Sequence, residues 1–204
     1  MKALFIGLLA VLASTTASAQ RDRSFDVTVN SGASAPTGEF GERYDMGFHL
    51  GVGLAYFLSP TLVLAPKLEY HSFPIDEDSW IETGNDAGIP ATAVDGGTRR
   101  TVLAAADLRL EPAMNTEGWQ PFVLGGLGAG FMSGSAVDYH TAEGVISKEI
   151  DGDTKLFWNV GVGLEFGHTN GMSLFIMGRY MGIPGDETEG FDFNAIPISI
   201  GVRF

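Results

Sequence analysis

The chain has 204 residues, no cysteine, and 25 acidic against 12 basic side chains, for a formal charge of −13. The missing cysteines exclude a disulfide framework and thiolate chemistry, and the acidic balance excludes the clustered Lys and Arg that nucleic acid requires. The 28 glycines, set among alternating apolar residues, point to one β domain with tight turns and closely packed strands.

Residues 1–19 have the form of a cleaved signal peptide. Lys2 supplies the positive start, residues 3–13 the apolar stretch, and Ala17-Ser18-Ala19 the small-residue cleavage site. The mature protein is then expected to be one exported domain over 20–204. No later stretch reaches the roughly 18 apolar residues that a spanning helix needs.

Eight segments alternate as strands do: 24–33, 46–58, 61–73, 99–111, 120–134, 154–167, 172–183 and 194–204. Several exceed ordinary globular strands and match the roughly 9–11 residues of a tilted membrane-crossing strand. Their connections alternate too. Ser59-Pro60, residues 112–119 and residues 168–171 are short, and Asn170-Gly171 is a strong hairpin turn. Residues 34–45, 74–98, 135–153 and 184–193 are long. Short turns at one end and long loops at the other are the arrangement of outer-membrane barrels.

The two faces of each strand differ sharply. Phe48, Leu50, Val52, Leu54, Tyr56 and Leu58 oppose His49, Gly51, Gly53, Ala55 and Phe57. Leu62, Leu64, Leu68 and Tyr70 oppose Lys67, Glu69 and His71, and Val102, Leu108 and Leu110 oppose Asp107, Arg109 and Glu111. A Lys or Arg facing lipid at the bilayer midplane costs roughly 2–4 kcal/mol, so the apolar sets must face outward. Aromatic residues near strand ends, among them Phe25, Tyr56, Tyr70, Trp119, Phe131, Trp158, Phe166, Tyr180 and Phe204, suit interfacial girdles. An all-β, eight-stranded, antiparallel, up-and-down transmembrane β-barrel follows. With an even strand number both termini lie at the short-turn end, which places them in the periplasm and the long loops outside the cell.

The last strand, 194–204, has Ile196, Ile198, Ile200, Val202 and Phe204 on one face and Arg203 on the other. It is expected to close the barrel against the first, bringing Arg203 near Asp26. Together with Pro36-Thr37-Gly38-Glu39-Phe40, the run Gly47–Pro60 and Pro121-Phe122, this ending resembles the small outer-membrane β-barrel family that includes the transmembrane domain of outer membrane protein A. The resemblance implies that Ile198, Ile200, Val202 and Phe204 form the signal read by the outer-membrane assembly machinery. It also implies outer-membrane lipids as surroundings and a monomer as the state. Full-length outer membrane protein A carries a peptidoglycan-binding domain, whereas this sequence stops at Phe204, so no cell-wall anchor is expected.

The inward polar set comprises Asp26, Lys67, Glu69, Asp107, Arg109, Glu111, Glu165, Arg179 and Arg203. An eight-stranded barrel has room inside for side chains and little else, and the near balance of sign suits pairing of buried charge. A filled, salt-bridged lumen with a structural or interaction role is the expectation. A narrow porin-like channel gated by a switchable pair is the alternative, and a lipid-modifying barrel enzyme a distant third. His71-Ser72 has the residue types of a nucleophile and its base, but neighbours on a strand face opposite ways, so no catalytic residue is assigned. The run Gly125–Gly130 lies in a strand and lacks the Lys of a phosphate loop. Acidic clusters such as Asp76-Glu77-Asp78 and Asp151-Gly152-Asp153 could attract hard cations, but without a full ligand spacing they are better explained as solvated loops. No metal site and no cofactor are assigned.

Overall fold

A computed structural model of the chain describes residues 25–112, 118–150, 152–169, 172–185 and 192–204. The expected signal peptide at 1–19, the expected Asn170-Gly171 turn, Asp151 and most of the expected connection 184–193 lie outside the described residues. The strands in chain order are β1 (Phe25–Thr37), β2 (Gly47–Ser59), β3 (Leu62–Phe73), β4 (Ala91–Gly96), β5 (Arg99–Leu110), β6 (Trp119–Gly134), β7 (Val137–Thr141), β8 (Gly144–Lys148), β9 (Asp153–Thr169), β10 (Met172–Ile183) and β11 (Phe193–Arg203). Among the described residues one α-helix, α1 (Glu77–Asp86), lies between β3 and β4, and a short 3-10 turn, Gly38–Phe40, follows β1.

Eight of these strands close a barrel in the order β1-β2-β3-β5-β6-β9-β10-β11, with β11 returning to β1. Every pair is antiparallel, and the closing pair sets Val29 opposite Val202 and Ala33 opposite Ile198. Closure leaves no edge, so the backbone polar groups of the wall are satisfied within the ladder, as hydrocarbon surroundings demand. The parity read from the sequence is the parity observed. Val162, Leu156, Leu127 and Ile200 stand outward and exposed, while Phe157, Asn159, Glu165, Ser199 and Arg203 are buried. Outward aromatic rings gather at both ends, with Trp119 opposite Phe166 and Phe25 opposite Tyr56 at the short-turn end. At the other end Trp158 lies 5.6 Å from Tyr180 and Phe48 lies 6.1 Å from Tyr70.

Small inward residues make space for long ones. A Cβ added at Gly51 would come within 2.7 Å of Glu69 Cγ, and one at Gly161 within 2.6 Å of Arg179 Cγ. These glycines let the charged stems of the neighbouring strand cross the interior.

Two of the long connections are not the plain loops expected from the sequence. Residues 74–98 hold α1 and β4, and residues 135–153 hold β7 and β8. The two segments join as a three-stranded sheet, β4-β7-β8, above the barrel mouth. Asp76 starts α1 by accepting the Ser79 backbone N–H at 3.0 Å, and Glu77 and Asp78 occupy its first turn, where acidic side chains favour the helix dipole. Trp80 donates to the Arg43 carbonyl at 3.0 Å and ties the helix to the first long connection. Val94, Val137 and Tyr139 turn inward and join Phe40, Tyr44, Phe73 and Phe193 in one apolar cluster that continues into the barrel. Phe40 sits at its centre, 4.3 Å from Phe193, 4.6 Å from Tyr44 and 5.1 Å from Phe73 between ring centroids. Burial of this apolar surface, with the backbone paired in a sheet, is why the segments fold rather than remain loops.

Candidate functional site: the barrel lumen

The nine inward charged residues expected from the sequence fall into two groups. Nearer the short-turn end, Asp26, Arg109, Glu111, Glu165 and Arg203 meet. Arg203 lies 3.0 Å from Glu111, 2.6 Å from Glu165 and 3.6 Å from Asp26. Arg109 lies 2.8 Å from Glu111 and is also paired with Glu165. The face of the Arg109 guanidinium rests 3.5 Å from the Phe122 ring centroid, a geometry that favours the cation. Ser173 donates to Glu165. Phe122, Leu124, Phe175 and Met177 fill the adjacent wall from β6 and β10.

Deeper in the barrel lie Lys67, Glu69, Asp107 and Arg179. Arg179 donates both terminal nitrogens to Glu69 at 2.8 Å each. Lys67 reaches Asp107 at 2.8 Å and Glu69 at 3.4 Å. Asn159 donates to the other oxygen of Asp107 at 2.9 Å. The pairing is bidentate where it is deepest, the arrangement that best offsets the loss of hydration.

Above this group is a neutral polar layer that the sequence reading did not single out. Ser34 Oγ lies 2.9 Å from His49 Nδ1 and 3.2 Å from His71 Nδ1. His49 Nε2 lies 2.8 Å from Ser199 Oγ, and the two imidazoles stack at 5.1 Å. His71 Nε2 faces Glu69 at 3.9 Å. One assignment of protons satisfies the three Ser–His contacts with neutral rings and turns the remaining N–H of His71 toward Glu69. A carboxylate has no proton to give, so His71 carries its hydrogen on Nε2 and its Nδ1 accepts from Ser34. Ser34 then accepts from His49 Nδ1–H, and His49 Nε2 accepts from Ser199. His71 is therefore partnered by Ser34 on β1 and not by Ser72 beside it. His49 and Ser199 fall on the inward parity as uncharged residues, whereas Ser34 belongs to the expected long connection 34–45 and is placed inward because β1 runs on to Thr37.

The remaining candidates are dispersed. Gly125–Gly130 lies in β6, and Ile198, Ile200, Val202 and Phe204 form the outward side of the closing strand. His140 is on β7, 2.8 Å from Asp95 of β4. Among the described residues no group of three or more His, Asp or Glu side chains gathers in a way that could hold a metal ion.

An edgeless barrel with an apolar outer band, aromatic girdles and its charge clusters inside defines a transmembrane β-barrel protein of the outer membrane. The chain matches the model of the outer membrane protein beta-barrel domain over residues 5–204 and belongs to that family. Among solved structures it is similar to Neisserial surface protein A, at 15% identity and a TM-score of 0.56, over 89% of this chain and 96% of that one. A major outer membrane protein from Thermus thermophilus gives 13% identity and a TM-score of 0.56, over 89% and 99%. The attachment invasion locus protein of Yersinia pestis gives 14% and 0.50, over 88% and 97%. At these identities the likeness is one of fold. No curated protein matches the chain in sequence.

Proposed function

We propose that this protein is a closed outer-membrane barrel with a structural and interaction role, whose signal peptide at 1–19 directs export. Its ion-paired lumen serves stability, and its acidic cap is the face offered to the outside. The termini then lie in the periplasm, and Ile198, Ile200, Val202 and Phe204 of the closing strand engage the assembly machinery.

The observation that carries the reading is the filling of the interior. Paired charges, the Ser34–His49–His71–Ser199 layer and the Phe40 cluster follow one another along the barrel. A conduction path would need to open all three. Ser34, His71 and Glu69 have the residue types of a nucleophile, base and orienting acid, but each is buried and the serine is already held by two imidazoles. The reading therefore gives them no catalytic part.

Planar-bilayer recording on the purified protein tests this. Electrical silence across salt and voltage is expected. Discrete openings that change when Lys67 or Glu69 is neutralised would replace this reading with a gated narrow channel.

A further inference from the structure

Strand β8 is the outer edge of the cap sheet and pairs with β7 alone among the described residues. All five of its residues are exposed, with Val145 at 57% and Ile146 at 45%. The Thr92 hydroxyl donates to the His140 carbonyl at 3.2 Å, so His140 turns its backbone toward β4. Val145, directly opposite His140, consequently turns its backbone N–H and C=O away from β7, and Ser147 two residues on does the same. These groups make an open hydrogen-bonding edge of the kind that accepts an added strand.

The side chains bordering that edge differ on its two faces. Ile146 lies opposite Tyr139 on the apolar face, where α1 covers Tyr139 but leaves Ile146 half bare. On the other face Ser147 donates to Asp138, which stands opposite Asp95. Residues 74–98 and 135–153 together carry eleven acidic side chains and one lysine, so the field around the edge is strongly negative.

We propose that β8 is a docking edge for an extended, cationic polypeptide segment that adds as a further strand to the cap sheet. Its apolar side chains cover Ile146, and its Lys or Arg side chains lie on the opposite face, within reach of Asp138 across Ser147. The proposal deepens the interaction role above and rests on it only for which side of the membrane the partner comes from.

The test uses the full protein in nanodiscs of zwitterionic lipid and a labelled peptide of about ten residues that alternates lysine and valine. Binding above that to empty nanodiscs is expected, with at least a tenfold loss for a peptide of alternating glutamate and valine. Val145→Pro removes an outward N–H without touching the β7 pairing, and should weaken binding at least tenfold. Because proline could disturb the hairpin, hydrogen exchange on the unaltered protein gives a second readout. The amides of Val145 and Ser147 should slow when peptide is bound. Equal binding by Val145→Pro together with unchanged exchange at these amides would overturn the docking edge. Binding in nanodiscs but none on intact cells would leave the edge standing and count against the outward-facing cap.

Discussion

In β9, Val160 and Val162 face outward while Asn159 and Glu165 are buried; in β7, Val137 and Tyr139 are buried while Asp138 and His140 reach toward solvent. The same two-residue alternation thus serves opposite polarities in one chain. Around the barrel the surroundings are hydrocarbon, so the charge clusters are held inside, where Lys67, Asp107, Glu69 and Arg179 each meet a counter-ion. Around the cap the surroundings are water, and the ordinary arrangement returns, with apolar core and polar shell. The Phe40 cluster is where the two meet, since its members come from both the barrel strands and the cap.

Substitutions that respect one region and offend the other sharpen this contrast. The largest expected effect is Arg179→Ala, which leaves Glu69 without its bidentate partner and should cost about 3–5 kcal/mol, read as a lower urea midpoint in lipid vesicles. Next is Val162→Lys on the exterior of β9, expected to cost roughly 2–4 kcal/mol. Ala93→Lys on the exposed face of the cap sheet should stay within about 0.5 kcal/mol. Equal effects of these two lysines would erase the distinction between the barrel and cap surfaces. Ser34→Ala removes the one group joining both histidines and should cost about 1–3 kcal/mol. A carbon resonance shift of the His49 and His71 rings, reporting a changed tautomer, would accompany it.

The smallest effect lies in the cap. Burial pushes the Tyr139 phenol up from its ordinary value of 10.0, with Arg43 opposing. A raised value in the folded cap means stability fully present below about 10 and lost as pH climbs through the folded value. Cap opening, followed by limited proteolysis in residues 74–98, should therefore accelerate above that pH, and Tyr139→Phe should remove the acceleration. An identical alkaline profile in Tyr139→Phe would locate the titration elsewhere.

The barrel was legible because its strands are long and their alternation breaks only near strand ends, as at Phe57/Ser59 and Met172/Leu174. The expected segment 172–183 coincides with β10, and 99–111 differs from β5 by one residue. The cap was missed because its signals are short. β4 and β7 offer only a few alternating positions each, and the Asp76 cap of α1 was absorbed into an acidic cluster. Inward parity supplied Lys67, Glu69, Asp107 and Arg179 as a set. Which acid meets which base depended on residues as far apart in sequence as Glu69 and Arg179, a matter of strand order around the closed wall that spacing along the chain does not encode. Ser199 carried no distinguishing signal, since hydroxyls on strands are common and its partner lies on another strand, and Ser34 fell beyond the expected end of the first strand, which continues to Thr37.

One consequence follows from the mutual hydrogen bonds between Val27 and Phe204, 2.9 Å in one direction and 3.2 Å in the other. They make the wall a ring in which first and last are labels of synthesis and not of position. If the ends were linked there and the ring opened at the tight turn between Ser59 and Leu62, the same cylinder would form with the β2 sequence at its finish. That permutant would form every pair of the present ladder while interrupting the covalent chain at a different place in the wall.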